Sequence, residues 1–401
     1  MFYFKNNLLK PFFTLSTGNF LAQGINFLMM LVYARMFPKV DFGVFGLFLA
    51  TLFICGEIIN LKLDQAIIIA KDKDAHSTFW SGIWIGFVFS GLFYMSVFFI
   101  PVKIPKLLTS FGLLFWSWNQ MFGSIMLRNN AYKQIALSRI LQVMVSAVVT
   151  ISFGKLNLKN GLIFGFFSGY FVQNLYFLFS PYIQTHLERI EWSTWKNIKT
   201  HAPFTLYGTV SSLINVIGKY IPIVFIKNFF GLSMAGDFSL TQRTLQAPVG
   251  IITGAMGKAF YQQSATIEHK KSQSDHQKLI IETTKFLFLT GIIPTILLTL
   301  AGGTLFYMFF GKTWGDAGNM AAILAPMFFA SYVVGPISMF LDVKKELKWE
   351  FYFNLVQTIV KLIVLYFCCR NLDIFTVLKC WSIVQVFFYI ILWWKVYNLS
   401  K

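Results

Sequence analysis

The sequence predicts an all-α integral membrane protein with about 12 transmembrane helices in two pseudo-symmetric six-helix lobes. Of its 401 residues, 56% are hydrophobic and only 12% are charged, and the mean hydropathy is +0.62. A soluble domain usually carries about 25% charged residues. Because the low charge density extends along the whole length, the chain is expected to lie largely within a lipid bilayer.

The predicted helices follow from apolar segments of about 20 residues, the length that crosses the hydrocarbon core. Twelve such segments occur along the chain, at 11–36, 42–62, 77–100, 106–127, 132–153, 160–183, 203–229, 235–258, 281–310, 318–341, 350–369 and 374–396.

The basic residues predict the orientation. With a cytoplasmic N-terminus, 21 of the 34 Lys and Arg residues fall on the cytoplasmic side, 10 on the opposite side and 3 inside spans. Cytoplasmic loops are enriched in these residues, so both termini are expected in the cytoplasm. The two longest connections, 184–202 and 259–280, are then cytoplasmic. All five histidines fall in predicted cytoplasmic loops, where we expect them to be solvated.

The polar segment 184–202 divides the chain into a lobe at 1–183 and a lobe at 203–401. The segment is either a plain cytoplasmic linker or an interfacial amphipathic helix. The two lobes share a faint similarity between YARMFPKVDFGVF at 33–45 and FIKNFFGLSMAGDF at 225–238. Internal repeats of this kind are common in transporters.

Polar residues inside the predicted spans recur at helical spacing and therefore share helix faces. An unpaired polar group in hydrocarbon is costly, so these faces must meet each other or water. They are either helix-packing contacts or the lining of a hydrated cavity. The candidate residues for lining a hydrated, anion-binding cavity are Gln23, Asn26, Asn215, Lys219, Arg243, Gln246 and Lys361.

The charged residues of this set indicate a functional role more strongly than the uncharged ones. Insertion scales assign about 2.5–3.5 kcal/mol to a Lys, Arg or Asp at mid-membrane. Arg243 lies six residues beyond Asp237, so either snorkelling or a structural pair with Asp237 competes with an anion-binding role. Lys219 and Lys361 are candidates for the same anion-binding role.

Glu57 is the carboxylate placed furthest inside a predicted span. It forms a stripe with Asn60 and Asp64 at i, i+3 and i+7. We therefore expect Glu57 and Asp64 to be the ion-coupling residues, with H⁺ or Na⁺ as candidate ions. A helix-packing role for Glu57 remains the alternative.

No motif for an energy-consuming or catalytic site is present. GKT at 311–313 has Phe306 where a P-loop needs its first glycine, and no metal-binding or nucleophile motif occurs. We expect no cofactor, no metal, no enzymatic activity and no nucleic-acid partner. The net charge of +18 is explained by cytoplasmic loops and anionic lipid head groups.

Four segments carry a resemblance to a known family. They are GNFLAQGINF at 18–27, YARMFPKVDFGVFGLF at 33–48, LDQAIIIAKD at 63–72 and GDFSLTQRTLQAPVGIITGAMGKAFYQQSA at 236–265. The chain resembles the oligosaccharide-lipid flippases of the O-antigen and capsule type, the Wzx group of the MOP superfamily. That superfamily also holds multidrug extruders and the lipid II flippase.

The resemblance implies alternating access in the bacterial inner membrane. An undecaprenyl-pyrophosphate-linked oligosaccharide would be turned over from the cytoplasmic to the external leaflet among membrane lipids. Its pyrophosphate and glycan would then be bound by the candidate cavity residues Gln23, Asn26, Asn215, Lys219, Arg243, Gln246 and Lys361. A polysaccharide polymerase and a chain-length regulator are the candidate protein partners. Two alternatives stay open: a cation-coupled multidrug antiporter, disfavoured by the basic residues inside spans, and a membrane glycan polymerase, disfavoured by the short external loops.

Overall fold

The computed structural model describes residues 6–70, 72–96, 106–187, 209–270 and 273–401. These residues form helices joined by short turns, with one turn of 3₁₀ helix at Lys312–Trp314. The helices are α1 (Asn6–Met36), α2 (Lys39–Ile59), α3 (Leu63–Ile69), α4 (Asp72–Ser96), α5 (Lys106–Arg128), α6 (Tyr132–Lys155), α7 (Gly161–Leu178), α8 (Pro181–Leu187), α9 (Thr209–Phe230), α10 (Leu232–Lys270), α11 (Gln273–Phe310), α12 (Gly315–Ser338), α13 (Phe340–Val343), α14 (Leu347–Asn371) and α15 (Ile374–Leu399).

In the part of the chain that the structure describes, nine helices are long and apolar enough to cross a membrane. The other three predicted spans, at 11–36, 106–127 and 235–258, fall within α1, α5 and α10. These helices have 31, 23 and 39 residues and carry more polar side chains. The predicted fold class, an all-α integral membrane protein, is confirmed.

The chain divides into two compact units. Unit 1 comprises the described residues of Met1–Met29 and Val44–Ile221, and unit 2 comprises those of Met30–Gly43 and Pro222–Lys401. The lobe boundaries predicted from the sequence, 1–183 and 203–401, stay a prediction. Most of the predicted linker, 188–202, lies outside the described residues.

Several helices end at residues that tolerate a left-handed backbone. Gly231 between α9 and α10 has φ +91°, and Gly311 after α11 has φ +105°. Glycine has no Cβ, so it adopts these conformations without a steric penalty. Asn130, Asn157 and Asn160 have φ between +52° and +61° and separate α5, α6 and α7. Asparagine is the usual non-glycine residue in this region.

In unit 1, α6 and α7 pack closely over small residues. A Cβ added at Gly169 would lie 2.6 Å from the backbone oxygen of Gln142. Polar contacts complete this packing: Gln173 donates to Ser138 Oγ at 3.1 Å, and Ser180 donates to Gln134 at 3.0 Å. Gln134 and Ser138 therefore serve helix packing.

The turn between α2 and α3 is fixed by α5. Asn60 donates to the backbone oxygen of Ser117 at 3.1 Å, and Ser117 Oγ donates to Asn60 Oδ1 at 2.5 Å. Arg128 donates to the carbonyl oxygens of Ile67 and Ala70 at the end of α3, at 2.8 and 2.7 Å. These bonds satisfy carbonyls that a helix end leaves without partners.

In unit 2, α12 packs against α10, α11 and α15, and α15 packs against α14. The predicted loop at 259–280 is largely helical instead: α10 continues to Lys270 and α11 begins at Gln273. Hydropathy shows where a helix leaves the membrane but not where the helix ends. The Gln, Ala, Glu and Lys residues of this segment favour helix in water as well, so both helices continue beyond the apolar spans.

The extensions of α10 and α11 meet at a polar cluster. Glu268 Oε2 accepts from Lys344 Nζ at 2.6 Å and lies 2.9 Å from His276 Nε2. The His276 ring packs against Phe340 with centroids 5.0 Å apart, and only 2% of the residue is exposed. The expectation that His276 is solvated is therefore wrong. The bond from Lys344 holds the pKa of Glu268 below its ordinary value.

Candidate functional site

In unit 1, the predicted polar faces of α1 and α9 are exposed. Gln23 and Asn26 lie one turn apart on α1, and Asn215 and Lys219 lie one turn apart on α9; all four side chains are exposed. Residues three or four apart share a helix face. An amide or ammonium group at membrane depth must contact water or a polar ligand, since lipid offers no hydrogen bonds.

Glu57 and Asp64 do not share one helix face. The helix that carries Glu57 ends at Ile59, and Lys62 has φ +57°, so the expected i, i+7 relation between the two carboxylates is wrong. Apolar residues lie on both sides of the turn, so the sequence pattern suggested one continuous helix. Glu57 accepts a bond from Lys62 Nζ at 2.6 Å. Asp64 stands in the first turn of α3, where burial raises its pKa against the lowering effect of Lys62.

Unit 1 also contains a cation, Arg139, that is not among the predicted site residues. The exposed Arg139 on α6 donates to the side-chain oxygen of Asn19 on α1. Asn19 lies four residues before Gln23, on the same predicted polar face. The sequence could have indicated that Arg139 lies within a span, because it is seven residues beyond Tyr132, where α6 begins.

In unit 2, Asp237 belongs to an ion cluster formed by three helices. Lys39 Nζ at the start of α2 lies 2.9 Å from Asp237 Oδ2 on α10 and 3.5 Å from Asp316 Oδ2 on α12. The Asp237 side chain has no exposed area, whereas 43% of the Asp316 side chain is exposed. A pair between Asp237 and Arg243 was one of the alternatives that the sequence left open. Six residues along a helix turn by about 600°, so Arg243 and Asp237 point to different faces.

The end of α1 and the start of α2 are held firmly against the rest of unit 2. Trp314 donates its indole N–H to the backbone oxygen of Ala34 at 2.8 Å, and Arg35 donates to the oxygen of Phe309 at 3.2 Å. A Cβ added at Gly236 would meet the backbone oxygen of Lys39. Gly236 therefore allows the close backbone approach that brings Lys39 to its carboxylates.

The predicted substrate ligands of unit 2 lie on two helices. Arg243 and Gln246 are one turn apart on α10, and both are half-buried. Lys361 lies on α14, which is linked to α10 through α15 and α12. Only 8% of Lys361 is exposed, and among the described residues no carboxylate lies within 4 Å of its ammonium group. A buried cation without a counterion is costly unless water or an anion approaches it.

Two polar residues, Gln357 and Thr358, lie on the turn of α14 before Lys361. On the preceding turn of α14, Gln357 donates to Gln385 of α15 at 3.0 Å, and Thr358 is buried. Among the described residues, no group of three or more His, Cys, Asp and Glu side chains could hold a metal ion. The chemistry of this region is therefore that of a cation beside hydrogen-bonding amides.

Solved structures with the same fold define the class of the protein. It is similar to an inward-facing multidrug resistance MATE family transporter of the MOP superfamily, with a TM-score of 0.72, 13% identity, and coverage of 94% of this chain and 93% of that one. It is also similar to the lipid II flippase MurJ in an inward closed conformation, with a TM-score of 0.71, 14% identity, and coverage of 96% and 90%. The protein is thus a multi-pass membrane protein with a transporter fold.

The sequence comparisons give the family. The chain belongs to the family described as "Polysaccharide biosynthesis protein", which matches residues 8–261. It is 21% identical over 363 residues to an uncharacterized membrane protein in the cps region of Klebsiella pneumoniae, covering 86% of this chain and 72% of that protein. It is 22% identical over 343 residues to the succinoglycan biosynthesis transport protein ExoT of Rhizobium meliloti (strain 1021), covering 82% and 66%.

Proposed function

We propose that this protein flips undecaprenyl-pyrophosphate-linked oligosaccharide repeat units from the cytoplasmic to the external leaflet of the bacterial inner membrane. It does so by alternating access and catalyses no reaction. The family match and the transporter fold support a role in moving a polysaccharide precursor. The precursor consists of a lipid tail, a dense anion and a polar glycan, and each part needs a different environment.

The observation that carries the proposal is the uncompensated cation Lys361. Its ammonium group lies on a 25-residue helix long and apolar enough to cross a membrane, is nearly buried, and has no carboxylate within 4 Å among the described residues. A pyrophosphate would supply the missing counter-charge, and charge-assisted hydrogen bonds to phosphate are stronger than neutral ones. A cationic drug would instead be repelled by Lys361.

The remaining predicted ligands fit the rest of the precursor. Arg243 and Lys219 add positive charge in the two units. Gln23, Asn26, Asn215 and Gln246 offer both donors and acceptors, which match sugar hydroxyl groups. The polyprenyl tail can stay in lipid while the anion and the sugars cross among these side chains.

Ion coupling and topology are separate parts of the proposal. H⁺ or Na⁺ is the candidate coupling ion, with Glu57 and Asp64 as the coupling carboxylates and both termini cytoplasmic. A polymerase and a chain-length regulator would receive the flipped product. Glu57→Gln tests the coupling, because a neutral amide cannot change protonation. If transport in vesicles keeps the same dependence on proton and sodium gradients, Glu57 is not the coupling group.

The main test replaces the cations in cells that depend on this protein for surface polysaccharide. Lys361→Met and Arg243→Ala are expected to abolish surface polysaccharide at normal protein level, whereas Arg243→Lys retains part of it. Lys379→Met is the matched control, because Lys379 is an exposed lysine on α15. Normal surface polysaccharide with Lys361→Met and Arg243→Ala at normal expression would contradict the proposal. Efflux of a cationic dye would instead favour an antiporter.

A further inference from the structure

Five aromatic side chains in unit 1 form a continuous row across four helices. We call this the aromatic row; its members, in order, are Tyr220 on α9, Phe53 on α2, Trp116 on α5, and Tyr170 and Phe166 on α7. Their ring centroids are 5.0, 5.0, 5.4 and 4.6 Å apart in that order. All five side chains are half-buried, so each keeps part of its surface exposed.

The position of the aromatic row along its helices is unusual for Trp and Tyr. Trp116, Tyr170 and Tyr220 lie near the middle of their helices. In membrane proteins, Trp and Tyr concentrate at the two interfaces, where the polar atom of the ring reaches water. At mid-helix, a phenol or indole needs polar surroundings that lipid does not provide. The interfacial role therefore does not explain the aromatic row.

Two cations and a polar helix face flank the row. Lys219 Nζ lies 5.0 Å from the centroid of the Tyr220 ring. Arg139 lies on α6, which packs against the helix of Tyr170, α7, and Arg139 also bonds to the side chain of Asn19. Both cations are exposed. The rings thus adjoin groups that form hydrogen bonds, which a purely structural aromatic core would exclude.

The sequence positions the central ring of the row through a glycine. A Cβ added at Gly56 would lie 2.8 Å from Trp116 Nε1 and 2.9 Å from Cδ1. Gly56 thereby lets the Nε1 and Cδ1 edge of the indole approach α2 closely, next to Phe53. Buried Phe48 supports the other end, with its ring centroid 5.6 Å from that of Phe166.

We propose that the aromatic row is a carbohydrate-binding platform on which pyranose rings of the substrate stack. This inference rests on the proposed function and names the part of the substrate that this site takes. The C–H groups on one face of a pyranose carry partial positive charge, and the faces of aromatic rings are negative. The sugar hydroxyls then meet Arg139, Lys219 and the amide of Asn19, which fix the orientation of the stacked ring.

The test compares a bare lipid with sugar-bearing lipids. Purified protein in nanodiscs is titrated with undecaprenyl pyrophosphate and with three derivatives that carry one neutral, one N-acetylated or one acidic pyranose. Stacking on several rings is expected to make at least one derivative bind about tenfold tighter than the bare lipid. Trp116→Ala and Tyr170→Ala should reduce that gain to about twofold or less, and Gly56→Ala should reduce it in part by displacing the indole.

The neighbouring residues provide matched controls. Phe115 and Phe171 are adjacent in sequence to Trp116 and Tyr170 and pack against each other, with centroids 5.5 Å apart, outside the row. Phe115→Ala and Phe171→Ala should keep the full gain, and Trp116→Phe should keep most of it. If no sugar-bearing lipid gains affinity, or if the gain survives Trp116→Ala and Tyr170→Ala, the platform is refuted. If none of the lipids binds at all, the proposed function itself fails.

Discussion

The ion cluster at Asp237 permits a quantitative prediction, because its two carboxylates differ in burial. Asp237 is fully buried and lies 2.9 Å from Lys39, while Asp316 is 43% exposed and lies 3.5 Å away. Removing one partner of a buried ion pair costs about 3–5 kcal/mol. Since Lys39 keeps Asp316 and some solvent contact, we expect Asp237→Ala to cost about 3 kcal/mol. Asp316→Ala should cost less than about 1 kcal/mol.

The measurement is the free energy of unfolding, from titration of SDS into mixed micelles and followed by circular dichroism. A second variant separates the ion pair from simple loss of packing. When Lys39→Met is combined with Asp237→Leu, neither charge remains buried, so the double variant should lose less stability than the sum of the single losses. Equal, small losses for Asp237→Ala and Asp316→Ala would refute the reasoning, as would strict additivity in the double variant.

Three further predictions concern local structure. In Gly236→Ala, the new Cβ points at the backbone oxygen of Lys39, so this variant should lose about 2 kcal/mol or more of stability. In Gly250→Ala, on the same helix, the new Cβ meets no atom within 4 Å, so this variant should be as stable as the original protein. Thermal unfolding of the two purified variants measures the difference, and equal stability would contradict the close approach at Gly236. Arg128→Ala removes the side chain that donates hydrogen bonds to three carbonyl oxygens at the end of α3, and it should lower the free energy of unfolding by about 1–3 kcal/mol. Amide hydrogen exchange in α3 should become faster. Unchanged protection would contradict the capping role of Arg128. The pKa of Glu268 is lowered by its lysine partner, so the carboxylate stabilises the fold above its ordinary pKa of 4.5 and this contribution is lost as the pH falls through the lower folded value. Glu268→Gln should therefore have a melting temperature that depends less on pH in that acidic range, and an unchanged dependence would count against the bond.

Much of the fold could be predicted from hydropathy, because the bilayer imposes a length of apolar helix that is readable from sequence. Each of the twelve predicted spans lies mainly in helices where the structure describes it, although the span predicted at 42–62 runs past the end of α2. The turn after Ile59 was missed, since apolar residues continue through it and only the backbone at Leu61 and Lys62 reveals the change. The extensions of α10 and α11 were missed because polar helical sequence resembles polar loop sequence.

The candidate site was harder to predict, because spacing identifies a helix face but not what faces it. Asn60 and Ser138 occur in the same kind of stripe as Asn26 and Asn215, yet the first two are bonded in the interior and the last two are exposed. Tertiary contacts between distant segments make this distinction. The aromatic row was missed for the same reason, since its members come from four separate helices and no local pattern connects them.

Charge compensation separates the cations that stabilise the fold from those available to a substrate. Lys39 contacts two carboxylates and Lys62 bonds to Glu57, so the protein itself neutralises both. Lys361 is as inaccessible as a core residue, but among the described residues no carboxylate lies within 4 Å of it. A fold gains nothing from a buried charge of this kind, because its desolvation is not repaid inside the protein. Substitutions in these two groups of cations should therefore have different effects. Substitution of Lys39 should reduce the amount of folded protein, whereas substitution of Lys361 should abolish transport while the protein remains folded.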